Sequence, residues 1–530
     1  MRLTTRSFLQ LMLGGSAMPL VMGRAAAQQG TARRKVTIGV GSEATSLDPH
    51  FYGVTANREL ARHIFEPLVE YDGRQQIVSC LAASWKRTGP LTWEFGLQRD
   101  AVFSDGTPFT AKDVVFTFER IPTVTGSPSN YELYTRPFDK VEAVDDHTVR
   151  MTTKDPYPDV LNNLQNIPII SHRVGGGVKT EDFNSGRALV GTGPFRFVEW
   201  RRGDRIGLAR NDRYWRQAPH WDEVEFRPFT KSAARTAALL TGAVDVINQV
   251  PGSDLAQLRS AADTRVVTAV GPRLIMFMIN QAGEARTAAG DAGQPLDRNP
   301  LSDERVRRAL SMAINRPAIV ERVMDGLAVA ADQVLPEIYV GKNGYVKPDK
   351  YDPAAARKLL AEAGYPNGFS MTLNGSNDRY LNDDKVVQVI AQMLTRIGLK
   401  VKVETLPGSA YFGKAANRSY DYFLVGVQGM TQFEIVRSLL VSADPDKGHG
   451  ARNWGGFRDR EVDGLFETAT REIDDAKRND LLQRAEARAF NDLHCLTPLF
   501  FEMNVWSTRR GVSYDGRFDG QTYAFDIRPS

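Results

Sequence analysis

Two cysteines and seven histidines are all that the 530 residues provide of the softer ligating side chains. Cys80 and Cys495 are too few for a disulfide framework or a cysteine-rich zinc site. Both sit in apolar surroundings, and a long-range disulfide and two buried thiols are equally compatible with that. None of His50, His63, His147, His172, His220, His449 and His494 has a second histidine at helical ligand spacing, so no metal centre is expected. Charge of one sign is scarce as well. The 67 Lys+Arg face 63 Asp+Glu, a formal net charge of +4, which excludes the concentrated basic face of a nucleic-acid binder. Past residue 30 no apolar run approaches the ~20 residues that span a bilayer. The longest, Leu274-Ile275-Met276-Phe277-Met278-Ile279, fits a buried strand. Catalytic signatures are missing too: G-x-S-x-G, H-E-x-x-H, G-x-x-x-x-G-K-[ST] and C-x-x-C do not occur. Gly39-Val40-Gly41 and Gly191-Thr192-Gly193 lack the third glycine of a dinucleotide loop. No cofactor, no catalytic residue and no enzymatic activity are therefore expected. A hydrolase working through a carboxylate pair is the weakest of the alternatives.

What is present is a globular balance, 42% hydrophobic and 25% charged. At ~100–200 residues per domain, the length calls for two to four domains or lobes. The N-terminus reads as an export signal. Arg2 and Arg6 precede an interrupted apolar stretch, and Ala25-Ala26-Ala27 is a small-residue cleavage site. Thr5 stands where a twin-arginine signal would carry its first arginine, which leaves the export route open. Cleavage after Ala27 would remove three arginines and no acid, taking the formal charge from +4 to +1. The expected location is the periplasm.

Patterning divides the chain. Val36-Thr37-Ile38-Gly39-Val40 reads as a buried strand and residues 57–65 as a helix. Trp93, Phe95 and Leu97 alternate as a half-buried strand. Thr110 caps a helix with Asp113 in the capping-box position. Residues 195–200 and 205–208 pair as a hairpin across Arg202-Gly203-Asp204. The second half alternates helices and strands. Asp352-Pro353 opens a helix that Gly364 ends, and Val386, Val387, Ile390, Met393, Leu394 and Ile397 form a long apolar stripe. Such alternation builds an α/β sheet covered by helices. Residues 282–300 are polar and rich in Gly, Ala and Asp, the expected mobile loop at a lobe boundary.

Several motifs then occur in order: Leu47-Asp48-Pro49; Leu81-Ala82-Ala83-Ser84-Trp85 with Phe103-Ser104-Asp105-Gly106-Thr107-Pro108-Phe109-Thr110-Ala111-Lys112-Asp113-Val114; Gly191-Thr192-Gly193-Pro194-Phe195 closing with Asn211-Asp212-Arg213-Tyr214-Trp215; Val306-Arg307-Arg308-Ala309-Leu310; and Tyr351-Asp352-Pro353 through Ala363-Gly364-Tyr365. Together they resemble the family 5 extracellular solute-binding proteins, the peptide/nickel-type receptors of ABC importers. Read physically, these residues are turns and caps, which serve the backbone. The resemblance implies an α/β, two-lobed periplasmic binding protein fold of class II (cluster C) type, with an extra subdomain in the first lobe. The limits it implies are a signal at 1–27, lobe I at 28–279 with the subdomain near 79–189, lobe II at 280–496, and a return to lobe I at 497–530. The implied partners are a small-molecule ligand held between the lobes and the transmembrane subunits of an ABC permease, with no nucleic acid and the receptor a monomer.

In peptide-binding members, an aspartate after a Gly-Trp strand end holds the ligand ammonium. Here the matching segment is Gln428-Gly429-Met430, with neither Trp nor Asp, and Glu434 is the nearest acid. Gln428 and Met430 are expected to give a neutral, adaptable lining. Asn377, Asp378, Arg379 and Tyr380 match the neighbourhood that contacts a ligand carboxylate in dipeptide-binding members, and the planar fork of Arg379 suits it. Asn453 and Trp454 are further candidates, and Thr45 and Tyr52 are candidate polar contacts from the first lobe. A nickel-chelate receptor is the alternative, resting on His449 between two glycines.

Overall fold

The computed structural model describes residues 34–530. The expected export signal at 1–27 lies outside them. In chain order, β1 (Lys35–Val40) is followed by a hairpin, β2 (Val69–Tyr71) and β3 (Ile77–Ser79). A separate antiparallel sheet comes next, from β4 (Ala82–Arg87), β5 (Thr92–Leu97), β6 (Phe138–Asp145) and β7 (Thr148–Thr153), in the order β4-β5-β7-β6. The chain then runs through β8 (Phe195–Arg201), β9 (Arg205–Arg210), β10 (Glu223–Pro228), β11 (Val246–Ile247) and β12 (Thr264–Ile279). β13 (Ala328–Ala330), β14 (Ser370–Ser376), β15 (Lys400–Leu406), β16 (Tyr422–Gln428) and β17 (Leu496–Arg509) complete the large sheet.

That sheet has the order β15-β14-β16-β12-β17-β11-β1-β10-β9-β8, with β13 on β17. Two long antiparallel strands, β12 and β17, occupy its middle, so the flanking strands form two groups joined through them. The ladder between them is irregular between Val270 and Leu274, where Gly271 and Pro272 interrupt it. Proline has no N–H to donate, so such a residue marks a break in a central ladder. Beyond the break β12 pairs with β16. Leu274, Met276 and Met278 enter one buried cluster and Ile275, Phe277 and Ile279 the other. The strand alternation serves two cores because helices cover both faces.

The local signals take the forms expected of them. Thr110 N donates to Asp113 Oδ2 at 2.8 Å at the start of helix Ala111–Arg120. Asp352 Oδ1 accepts Ala354 N and Ala355 N at 3.1 and 2.9 Å at the head of helix Pro353–Glu362. The apolar stripe becomes helix Asp383–Arg396. Cys80 and Cys495 are both buried and free. The Gly-Thr-Gly motif allows close approach: a Cβ on Gly191 would lie 1.9 Å from the Ile64 carbonyl oxygen, and one on Gly193 2.7 Å from that of His63. The segment 282–300 differs from expectation. The Asp421 carboxylate accepts Arg286 N at 2.8 Å and Ala288 N at 3.2 Å, and Ala289 exchanges backbone bonds with Ser370. A polar composition did not reveal that one distant carboxylate would satisfy the loop's amides.

Leu47-Asp48-Pro49 also acquires a physical role. Asp48 accepts Arg120 Nη1 at 2.8 Å and Nη2 at 2.6 Å, and Thr180 Oγ1 at 2.7 Å. Arg120 Nη1 also donates to His50 Nδ1 at 2.9 Å, and His50 Nε2 lies 2.7 Å from the Pro168 carbonyl. This buried node ties β1's outgoing chain to the small-sheet subdomain. Burial pushes the Asp48 carboxyl up, but hydrogen bonds and charge from Arg120 outweigh that and hold it below the usual value. Burial and the Arg120 charge pull His50 down to about 4, which keeps it neutral and able to accept.

Arg120→Ala leaves Asp48 buried without its partner and should cost about 3–5 kcal/mol of stability in urea denaturation. The wild type should also lose stability as pH falls from 6.5 toward 4, because unfolding lets His50 take up a proton that the folded chain refuses. A further loss should follow below the ordinary aspartate value of 3.8, where the unfolded chain protonates Asp48 before the folded one. Urea midpoints measured across this range check both.

Candidate functional site

A cavity of about 420 Å³ opens between the two groups of strands, a size suited to a small organic ligand. One wall comes from the first half of the chain and the 519–523 segment. The other is the lip that follows β16, residues 428–437. Helix Thr55–Ile64 buries Leu60, Ala61 and Ile64 and carries Arg58 and Arg62 one turn apart on the side toward the cavity. Tyr134, Tyr157 and Asp159 come from the subdomain, and Tyr523 from the C-terminal return.

The lip is built by its own sequence. Gly429 lets the lip pack closely: a Cβ there would lie 2.4 Å from Ile435 Cδ1 and would displace that side-chain tip. Thr431 then caps helix Gln432–Leu439, its Oγ1 accepting Glu434 N at 3.1 Å. That helix presents Glu434 and Arg437 to the cavity. Glu434 Oε2 accepts Met430 N at 2.9 Å, which fixes the carboxylate beneath the strand end. Two contacts cross the opening. The Gln75 side-chain amide, at the tip of the β2–β3 hairpin, donates to the Met430 carbonyl, and Thr431 Oγ1 lies 3.5 Å from Asp159 Oδ1.

Charge is distributed unevenly over the cavity. No carboxylate lies within 4 Å of the Arg58 guanidinium among the described residues, and its Nε is buried without a hydrogen-bond partner. Burial works against its charge, but the oxygens of Tyr134, Tyr131, Tyr523 and Asp519 more than offset that. Arg62, by contrast, is paired with Glu70. Asp159 and Glu434 form the acidic side. Desolvation by the surrounding walls pushes both above the usual carboxylate range; Asn162 resists this at Asp159 and the Met430 N–H resists it at Glu434. The Asp159 charge adds to this at Glu434 by like-charge repulsion. A cationic group entering between them would relieve both effects.

Of the residues singled out in the sequence, Gln428, Met430 and the nearby acid Glu434 line this cavity. The other eight candidates for ligand contact do not. Thr45 and Tyr52 hold the start of helix Thr55–Ile64 through Asn57, whose Nδ2 donates to Thr45 Oγ1 at 3.0 Å and to the Tyr52 carbonyl at 3.2 Å. Asn377 N donates to the Leu406 carbonyl at 3.1 Å, and Asp378 Oδ1 accepts Gly408 N at 2.7 Å. Arg379 is exposed and lies over the Tyr380 ring at 5.6 Å. Tyr380 donates to the Gly426 carbonyl at 3.2 Å and packs where a Cβ of Gly426 would otherwise sit, 2.6 Å away. Asn453 is buried and bonds the Val441 and Phe457 carbonyls at 3.0 and 2.8 Å. Trp454 packs beside Phe412 in a hydrophobic cluster. His449 sits edge-on to Phe466, ring centroids 5.3 Å apart, and the described residues contain no group of three or more potential metal ligands. Arg58, Tyr134, Tyr157, Asp159 and Tyr523 escaped sequence reasoning. The one available signal was the pair Arg58 and Arg62, one turn apart on the same face of a short amphipathic helix.

Comparison with known proteins accords with this geometry. The model for bacterial extracellular solute-binding proteins, family 5 (Middle), matches residues 76–433. The glutathione-binding protein GsiB of Pectobacterium atrosepticum is 30% identical over 377 residues, 71% of this chain and 70% of that protein. HbpA2 from Haemophilus parasuis superposes with a TM-score of 0.81 at 21% identity, covering 94% of this chain and 100% of that one. The periplasmic binding protein DppA from Helicobacter pylori, solved with the peptide STSA, gives a TM-score of 0.70 at 23% identity, covering 94% and 98%. The architecture is thus that of two-lobed binding proteins, mixed α/β with the cavity between the lobes. The chain belongs to family 5 of the bacterial extracellular solute-binding proteins, the components that capture small solutes for ABC importers.

Proposed function

We propose that the protein captures a peptide-like zwitterion, its carboxylate on Arg58 and its ammonium between Asp159 and Glu434. The carrying observation is Arg58, a guanidinium lining the cavity with no carboxylate of the protein within 4 Å among the described residues. A planar fork in that position matches a ligand carboxylate. The acid missing from the strand end at Gln428-Gly429-Met430 is replaced from two sides, by Asp159 of the subdomain and Glu434 of the lip helix. Glutathione, the ligand named for the relatives at 30% identity, is a zwitterion of this kind. In this reading lobe I runs to 279 and resumes at 497, lobe II is 280–496, the subdomain is near 79–189, and β12 and β17 are the crossings. The chain acts as a monomeric receptor in the periplasm, exported with cleavage near Ala27, and hands its solute to the permease unchanged rather than transforming it. Gln428 and Met430 line the ligand, while Thr45, Tyr52, Asn377, Asp378, Tyr380, Asn453 and Trp454 support the walls.

Mass spectrometry of what freshly purified protein releases on denaturation should find a zwitterionic solute; turnover of any bound compound would overturn a pure binding role. Arg58→Ala should weaken an acidic ligand more than about tenfold, or ~1.4 kcal/mol, whereas Arg379→Ala should leave affinity within about twofold. The opposite pattern in calorimetric titration would move the carboxylate anchor to Arg379. Gln75→Ala removes the hydrogen bond to Met430 and should speed ligand release about fivefold with little change in association. Stopped-flow fluorescence reads both rates.

A further inference from the structure

Beside the cleft lies a larger cavity of about 680 Å³. It is walled by the hairpin tip at Asp72-Gly73, the stretch 214–220 and the C-terminal segment 514–528. Arg62, Tyr71 and Tyr523 line both this cavity and the ligand cleft, so these three side chains are the partition between them. We propose that the larger cavity is a second chamber of the ligand site, which receives an uncharged, hydrogen-bonding side arm of the solute. The inference rests on the reading of the cleft as the holder of a peptide-like zwitterion, and it narrows the substrate class to zwitterions carrying such an arm.

Two independent observations support the chamber. The first is on the partition. Arg62 is paired with Glu70, yet its Nη1 is buried without a hydrogen-bond partner. Buried donors are normally satisfied, and a carbonyl or hydroxyl of an arm passing between the cavities would satisfy this one. The second is the charge on the walls. Arg216 binds Glu70 at 2.6 Å, Arg517 binds Asp526 at 3.1 Å, and Arg528 is paired with Asp515. Glu66 accepts Tyr214 Oη at 3.0 Å and Trp215 Nε1 at 2.8 Å. Asp72, the remaining acid of the walls, accepts Arg74 N and Gln76 N at 2.8 Å, so the arginines and the acids of the chamber are all engaged and a charged substituent of either sign would be costly to desolvate there. A purely apolar one would leave the buried Arg62 Nη1 unsatisfied. An amide- or hydroxyl-bearing arm meets both conditions. The two charged ends of the solute are already engaged in the cleft, so the arm is a branch and not a terminus.

Gly73 offers a way to fill the chamber without disturbing the cleft. A Cβ built there meets nothing within 4 Å, so Gly73→Trp places an indole at the chamber wall with no clash at its root. The probes are glutathione and its thioether adduct with N-(2-hydroxyethyl)maleimide, titrated calorimetrically against wild type and Gly73→Trp. The adduct should bind wild type at least as tightly as glutathione does, and Gly73→Trp about tenfold more weakly, while glutathione binds both proteins within about twofold. Equal adduct affinity for the two proteins would overturn the chamber, as would exclusion of the adduct from wild type that still binds glutathione. Loss of both probes from wild type would instead strike the cleft reading, and this inference would fall with it.

Discussion

The pairing of β12 with β17 is the constraint on which the rest of the molecule depends. Every other strand of the large sheet attaches, directly or through a neighbour, to one of these two. The pair is continuous enough to hold both halves of the sheet, yet its register slips between Val270 and Leu274. A second irregularity follows between Ile275 and Met276, so the breaks in the ladder fall together within the stretch 270–276. Breaks of this kind are where paired strands bend. The cavity lies where the two halves face one another, so its width is governed by the same strands that hold the protein together.

Electrostatics divides along the same line. The deep polar groups of the first half are matched with one another: Asp48 with Arg120 and Thr180, Glu70 with Arg62 and Arg216. In the cleft the matching is incomplete. Arg62 and Asp519 are paired with Glu70 and Arg517, whereas Arg58 has no carboxylate within 4 Å among the described residues, and the Asp159 charge adds to the burial that raises the Glu434 carboxyl. The global charge contributes little, since positive and negative residues are nearly equal in number.

Much of this fold was legible one element at a time. The apolar run at 274–279 announced a buried strand, Thr110 with Asp113 a helix start, Asp352-Pro353 another, and the family motifs gave the architecture. These are local signals, and local physics produces them. The segment 282–300 is a loop, as its polarity suggested, but its amides at 286–288 are held by Asp421, more than 130 positions away, which no local signal shows. The candidate site was harder for the same reason. Arg58, Asp159 and Glu434 belong to three separate parts of the chain; Glu434 was legible as the acid nearest the strand end, but nothing local shows that Arg58 and Asp159 meet it. Arg379 attracted attention by analogy of position; it is exposed, lies over the Tyr380 ring and is not among the residues that line the cavity. Gln428 and Met430 were found because they end a strand, and a strand end is visible in sequence.

The clasp between Gln75 and Met430 joins the hairpin tip to a main-chain carbonyl, which is present whatever side chains surround it. Substitutions among the side chains of the cleft therefore leave the acceptor in place, so the lining can vary while the contact that bridges the opening stays the same.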